Sequence, residues 1–279
     1  MRKIDKPEIR VREVVIDCIA NMTDIVLKSL IEIALDSLEE AENDYDERKA
    51  INTLFEIVRN TQISADVNRK VLKSIYSDRM VNKSNAARKY YDQLLIGAPS
   101  GRCPQCGVRV ATTLDHNLPK SKYALLATSP LNLIPSCSDC NKGKLVDFPT
   151  TAEQETIHPY YDNIENEQWL VCQVLSVNPL LIQFYSRPGC HLNATLRTRI
   201  INHFNSFHLN RLYTTHAIEE FENSKGYFTK LFEVGGKDNL ESHIQESYQS
   251  RKAININSWQ CAFYLGLLNS ADFCNGNFL

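Results

Sequence analysis

Residues 103–144 read CPQCGVRVATTLDHNLPKSKYALLATSPLNLIPSCSDCNKGK. Two pairs, Cys103-x-x-Cys106 and Cys137-x-x-Cys140, bracket thirty residues. The x-x spacing lets both thiolates of one turn address one ion, and two such pairs make a four-cysteine zinc pattern. Gly107 supplies the tight turn such a knuckle needs. A site with four thiolate ligands is coordinatively full, so a zinc ion (Zn²⁺) there holds shape and does no chemistry. Residues 98–150 are rich in Gly, Pro and short segments, with too little apolar sequence for a core of their own. A metal staple explains how such a module holds together.

Outward from this module the chain changes character. Residues 1–97 contain only one glycine, Gly97, and carry apolar positions at helical spacing. Ile25, Val26, Leu30, Ile33, Ala34 and Leu38 predict one helix, with Thr23 or Asp24 as its cap. Leu54, Phe55 and Val58 predict another, Val71 to Tyr76 a third, and Ala86 to Ile96 a fourth that stops at Gly97 and Pro99. Lys83, Arg88 and Lys89 lie near the polar side of that last helix, as solvated charges or as phosphate contacts. On the other flank, Trp169–Val177 and Leu180–Tyr185 predict a hairpin around Asn178-Pro179. A long helix or helix pair follows over 192–222, and another helix over 240–268. The expected organisation is α+β and mainly helical: a helical region 1–97, the module 98–150, and a mixed, mostly helical region 151–279.

Composition sets limits. Apolar residues make up 43% of the 279 positions and charged residues 23%, which excludes a largely disordered chain. The net charge of −2 excludes a uniformly basic coat, not a basic face. From residue 36 to 56, eight acids face two bases; from 61 to 150, thirteen bases face six acids. The basic stretch holds the module and suits a polyanion; the acidic one suits a protein partner. Nine cysteines without a secretory leader argue against a disulfide framework. Cys18, Cys172, Cys190, Cys261 and Cys274 are expected as apolar thiols. No apolar run is long enough for a membrane span, and the expected compartment is cytoplasmic.

Between the cysteine pairs lie Asp115-His116, Asn132-Leu133 and, just after the last cysteine, Asn141-Lys142-Gly143-Lys144. In this order the segment resembles an HNH endonuclease of the ββα-metal type, in the variant braced by a four-cysteine zinc. The resemblance spans residues 102–144. It implies a strand ending in Asp115-His116, a second strand beginning near Asn132, and a helix carrying Asn141. It also implies hydrolysis of phosphodiesters, in DNA before RNA, by a divalent ion. The extensions resemble those of bacterial HNH proteins linked to anti-phage defence, some of which act beside an ATPase or sensor subunit.

The resemblance gives each residue a task that its chemistry suits. Neutral imidazole near pH 7 can take a proton from water, which makes His116 the general base. Asp115 and the Asn141 carbonyl are hard oxygen donors that favour Mg²⁺ or Mn²⁺ (magnesium or manganese) over a catalytic zinc. Neighbouring strand residues point to opposite sides, so a bend must bring Asp115 and His116 together. Asn132 would hold the loop behind His116. Lys120, Lys122, Lys142 and Lys144 would contact phosphates without reading sequence. His158, in the segment His158-Pro159-Tyr160-Tyr161-Asp162, is a core histidine or a neighbour of the site. No His has Glu two positions on, which excludes a zinc deaminase, and no P-loop is present. The alternative is a zinc-bearing module that binds nucleic acid or protein without cutting.

Overall fold

The computed structural model describes residues 1–143 and 149–279. The chain divides into two compact units: residues 2–154 with 158–162, and Met1 with 155–157 and 163–279. The architecture is mainly helical, with two small two-stranded sheets.

The first unit opens with α1 (Val11–Ile19), whose Val11, Val14, Val15, Cys18 and Ile19 are all buried. Their spacing puts them on one helical face. The predicted helix over 25–38 is two helices, α2 (Ile25–Ile33) and α3 (Leu35–Ala50), separated at Ala34. Asp24 caps the first by accepting from Leu27 N at 2.9 Å. Six apolar residues crowd nine positions of α2, more than one face can bury, so Ile25, Val26 and Ile33 stay exposed. The helix predicted around Leu54 is a single turn, Leu54–Glu56. Next, α4 (Arg69–Ser74) continues as a turn of π-helix, Ile75–Met80, and α5 (Arg88–Ile96) follows.

A short antiparallel hairpin comes next, β1 (Thr113–His116) against β2 (Leu133–Ser136), then α6 (Ser138–Gly143). Leu114, Ala124, Ala127 and Leu133 belong to the same buried cluster as Val14, Leu38, Ile75 and Leu94. Four-residue strands are marginal alone. Here the hairpin buries its apolar positions, about 1.5–3 kcal/mol each for large side chains, in the core the N-terminal helices provide. The helical stretch and the cysteine module therefore share one interior.

Glu42 of α3 ties this unit together. It is fully buried. One carboxylate oxygen accepts Val11 N at 3.1 Å and Arg10 Nε at 3.0 Å; the other accepts Ser129 Oγ at 3.0 Å. Val11 N is one of the donors that a helix leaves unsatisfied at its start. Other acids of the 36–56 run pair within the chain as well: Glu39 with Arg12 at 2.7 Å, Asp44 with Arg48 at 2.6 Å, Asp46 with Lys6 at 2.5 Å. Much of the charge counted as a partner surface is thus met internally.

The second unit holds the predicted hairpin, β3 (Leu170–Val177) and β4 (Leu180–Ser186), with a cis Asn178-Pro179 bond in its turn. Then come α7 (Ala194–Ser206), α8 (Leu209–Ile254), α9 (Trp259–Leu268) and α10 (Ala271–Cys274). The long α8 doubles back at Gly236, where φ is +63°. Tyr227 and His243 then meet at 5.0 Å between ring centroids. Sixteen residues of straight helix would hold them roughly 24 Å apart. Asn257 closes the base of the hairpin, accepting Trp169 N at 2.9 Å and donating to Glu167 O at 2.8 Å. No helix among the described residues is long and apolar enough to cross a membrane.

Glu42 sets two expectations for thermal melts. Glu42→Leu orphans Val11 N and Ser129 and lowers stability by about 2–3 kcal/mol, whereas Glu42→Gln can keep one acceptor and turn its amide to Ser129. Burial, the largest influence, pushes the Glu42 carboxyl above the ordinary carboxylate range, partly offset by its donors. A raised acid contributes its stability below the unfolded value, about 4.3, and loses it as pH rises through the folded one. Wild type should therefore lose ground against Glu42→Gln as pH is raised from 4 to 8.

Candidate active site

The hairpin register pairs Asp115 with Ile134 and His116 with Leu133, the last pair before the loop opens. Asp115, His116 and Asn141 border one cleft of about 540 Å³. The strand ends at His116, so the two neighbours reach the same cleft although a strand alternates its side chains. Asn141 is the fourth residue of α6, and its N–H donates to Cys137 O at 3.0 Å.

His116 is held on two sides. Its Nε2–H donates to the Ala127 carbonyl at 2.9 Å. A carbonyl only accepts, so this bond puts the proton of the neutral ring on Nε2 and the lone pair on Nδ1. The Tyr76 ring meets the imidazole edge-on, 4.5 Å between centroids. Burial pushes the Tyr76 hydroxyl well above its ordinary value, so it stays a phenol.

Asn132 is fully buried and closes the loop behind His116. Its Oδ1 accepts Leu118 N at 2.7 Å, and its Nδ2 donates to Leu118 O and Leu126 O, each at 3.0 Å. Its own carbonyl accepts Asn117 N at 2.8 Å. One amide thereby fixes both ends of the loop that carries Ala127.

Four residues around the site, Gln105, Tyr45, Lys73 and Tyr76, lie outside the reach of sequence reading. Gln105, buried between two cysteines, donates from Nε2 to Asp115 Oδ2 at 3.3 Å and accepts Ser136 Oγ at 2.8 Å. Tyr45 OH accepts Asn117 Nδ2 at 2.9 Å and lies 3.0 Å from His158 Nε2. His158 Nδ1 accepts Tyr160 N at 3.2 Å, which leaves Nε2 as the donor to Tyr45. His158 is thus a buried brace behind the residue that follows His116, and the 158–162 segment belongs to the first unit. Lys73 and Tyr76, three apart on one helical face, border the cleft; each reads in sequence as an ordinary helical position.

The predicted cations separate. Lys120 borders the cleft, with Nζ 4.3 Å from the Tyr76 ring centroid. Lys122 is half-buried and Lys142 exposed, and neither borders it. Lys144 lies outside the described residues. Arg88 and Lys89 are paired with Asp92 at 2.9 Å and Asp17 at 2.7 Å, and with Lys83 they are absent from the cleft wall.

The four module cysteines are buried free thiols whose sulfur atoms all lie within 4.8 Å of one another. Gly107 has φ +69°, and its N–H closes the knuckle onto Cys103 O at 2.7 Å. Tetrahedral ligation at a Zn–S distance of about 2.3 Å needs sulfurs about 3.8 Å apart, so the cluster can take zinc with little movement. Hydrogen bonding within the cluster, from Cys103 first, pulls Cys106 down to about 6, while the three neighbours push Cys140 up. Thiolates crowded this closely resist full ionisation until a cation joins them.

Comparison with known proteins now bears on this geometry. Residues 103–145 match the family model of the HNH endonuclease. The chain carries an HNH endonuclease domain. Over 296 aligned positions it is 25% identical to Protein ea31 of Escherichia phage lambda, covering 99% of this chain and 100% of that one. No solved structure matches. A nuclease-type function and contact with nucleic acid follow from the domain.

Asn132→Ala removes three buried hydrogen bonds and should cost about 3 kcal/mol, at roughly 1 kcal/mol net per bond with orphaned partners adding more. Thermal melting checks this; an unchanged midpoint would mean the loop has another anchor.

Proposed function

We propose that the chain is a metal-dependent endonuclease that hydrolyses phosphodiester bonds in DNA. The observation that carries this reading is His116, set at the rim of the cleft with its lone pair on Nδ1 by the Ala127 carbonyl. In the proposed reaction Nδ1 takes a proton from water as the water oxygen attacks phosphorus, and the P–O3′ bond breaks with the departing O3′ taking a proton from solvent. The products carry a 5′-phosphate and a 3′-hydroxyl. General-base help of this kind is worth about 10²–10⁴ in rate.

Asp115 and the Asn141 carbonyl are the proposed holders of the divalent ion. Their oxygen donors suit Mg²⁺ or Mn²⁺, which when bound would neutralise charge on the phosphate and the leaving oxygen. Gln105 keeps one Asp115 oxygen engaged and so orients the carboxylate. The four-cysteine cluster is the proposed site of a structural zinc, closed to substrate because every ligand position is filled. Lys120 is the proposed phosphate contact at the cleft, with Lys122 and Lys142 outside its described wall.

The resemblance of the extensions to those of bacterial HNH proteins linked to anti-phage defence supports a setting in defence. We propose a defence effector in the cytoplasm, and with no P-loop in the chain, an ATPase or sensor partner would supply any nucleotide control.

Plasmid cleavage tests the reaction. Purified protein should nick or linearise supercoiled DNA with Mg²⁺ or Mn²⁺ and stop in EDTA. His116→Ala should cut at least about 100-fold more slowly, with zinc content kept. Absence of cutting by zinc-loaded wild type with either metal, or full activity in His116→Ala, would overturn the assignment in favour of a binding module. For the cluster, Cys137→Ser should lose the single bound zinc, read by metal analysis, and melt earlier; a zinc-free, equally stable variant would remove the structural zinc.

A further inference from the structure

We propose that Lys73, Tyr76 and Lys120 form a phosphate-binding subsite for the strand flanking the scissile bond, contributed largely by the N-terminal helices. This rests on the endonuclease reading and extends it beyond the HNH segment. Lys73, Tyr76, Ser77 and Lys120 border the same cleft as Asp115, His116 and Asn141. Asp115 is the one carboxylate on the described cleft wall. With a divalent ion on Asp115, two ammonium groups and the ion would face the cleft, an arrangement that calls for more than one anion.

The placement of the two lysines is costly without such an anion. Among the described residues no carboxylate pairs with either ammonium. Lys120 is half-buried, and its charged form is disfavoured first by burial and then by the charge of Lys73. Two cations held against one wall repel each other, and a bound phosphodiester relieves that repulsion. Other bases of the helical region have been taken out of play in the same structure: Arg88 and Lys89 are paired with carboxylates.

Tyr76 supports one of the two lysines, Lys120. It sits in the π-helical turn Ile75–Met80, and such turns are frequent at functional sites. Its ring supports Lys120 Nζ at 4.3 Å and touches His116 edge-on at 4.5 Å. A strand whose flanking phosphate lay between Lys73 and Lys120 would therefore be registered against the same ring that packs on the proposed base. Contacts of this kind fix register and read no sequence.

The test is binding of a fluorescein-labelled 20-base-pair DNA duplex to the full, zinc-loaded chain without added Mg²⁺ or Mn²⁺, followed by anisotropy across a salt series. Lys73→Ala and Lys120→Ala should each weaken binding about tenfold and lower the slope of log K against log salt by about 0.9, one phosphate contact. Lys73→Arg should restore the slope. Lys83→Ala, exposed and off the cleft, should change neither. Alanine is favourable in a helix, and equal melting temperatures would show Lys73→Ala to be folded. Wild-type affinity and slope in Lys73→Ala would overturn the subsite even if plasmid cleavage proceeds. Lysine-dependent binding without cleavage in any metal would keep the subsite and overturn the nuclease reading. No binding of the duplex by wild type would overturn both.

Discussion

A single buried amide sets the geometry behind His116. Asn132 grips Leu118 through both its N–H and its carbonyl, fourteen residues away, and takes Leu126 O as well. With those contacts made, the loop between the two strands has one shape, and Ala127 presents its carbonyl to His116. The protonation pattern of the imidazole is therefore a property of the loop, not of the histidine alone. The same loop is anchored at Ser129 to Glu42 and, through Asn117, to Tyr45. Both anchors stand on α3. A four-residue strand pair keeps its precision because a helix some seventy residues earlier holds its connection.

Charge follows the same economy. Five of the seven acids of α3, Asp36, Glu39, Glu42, Asp44 and Asp46, are matched by Lys6, Arg10, Arg12 and Arg48, so much of the acidic run is met within the chain. The basic stretch is divided: some of its cations are neutralised by neighbours, while Lys73 and Lys120 are kept at the cleft. A net charge near zero thus coexists with a local positive wall.

What the sequence made legible was whatever depends on short spacing. The cysteine pairs, the adjacent Asp115-His116, the position of Asn132 before β2 and of Asn141 in α6 all follow from a few residues of local pattern. So does the β3–β4 hairpin, whose alternation and turn residues are local. Contacts made across the fold were hidden. Gln105 looks like a spacer until Ser136 and Asp115 close on it, and Tyr45 meets Asn117 and His158 across 72 and 113 residues. Lys73 and Tyr76 look like ordinary helical positions until the helix is laid beside β1. The reversal of α8 at Gly236 was hidden too, because both of its arms are helical in pattern and only the pair Gly235-Gly236 marks the fold-back. Periodicity misled at α2, where apolar residues on every side cannot all be buried.

Gln105 gives the knuckle a second meaning. The two residues inside a Cys-x-x-Cys pair are ordinarily free to drift, since only their number matters to the ion. Here one of them is wired through Ser136 to the second knuckle's strand and through its amide to Asp115. Cysteine cluster and cleft wall therefore share a component. Any change in how the thiols are seated is transmitted to a carboxylate across one side chain. The spacer is constrained from both sides, and the module cannot exchange its cysteine knuckle for another of equal stability without moving the Asp115 carboxylate.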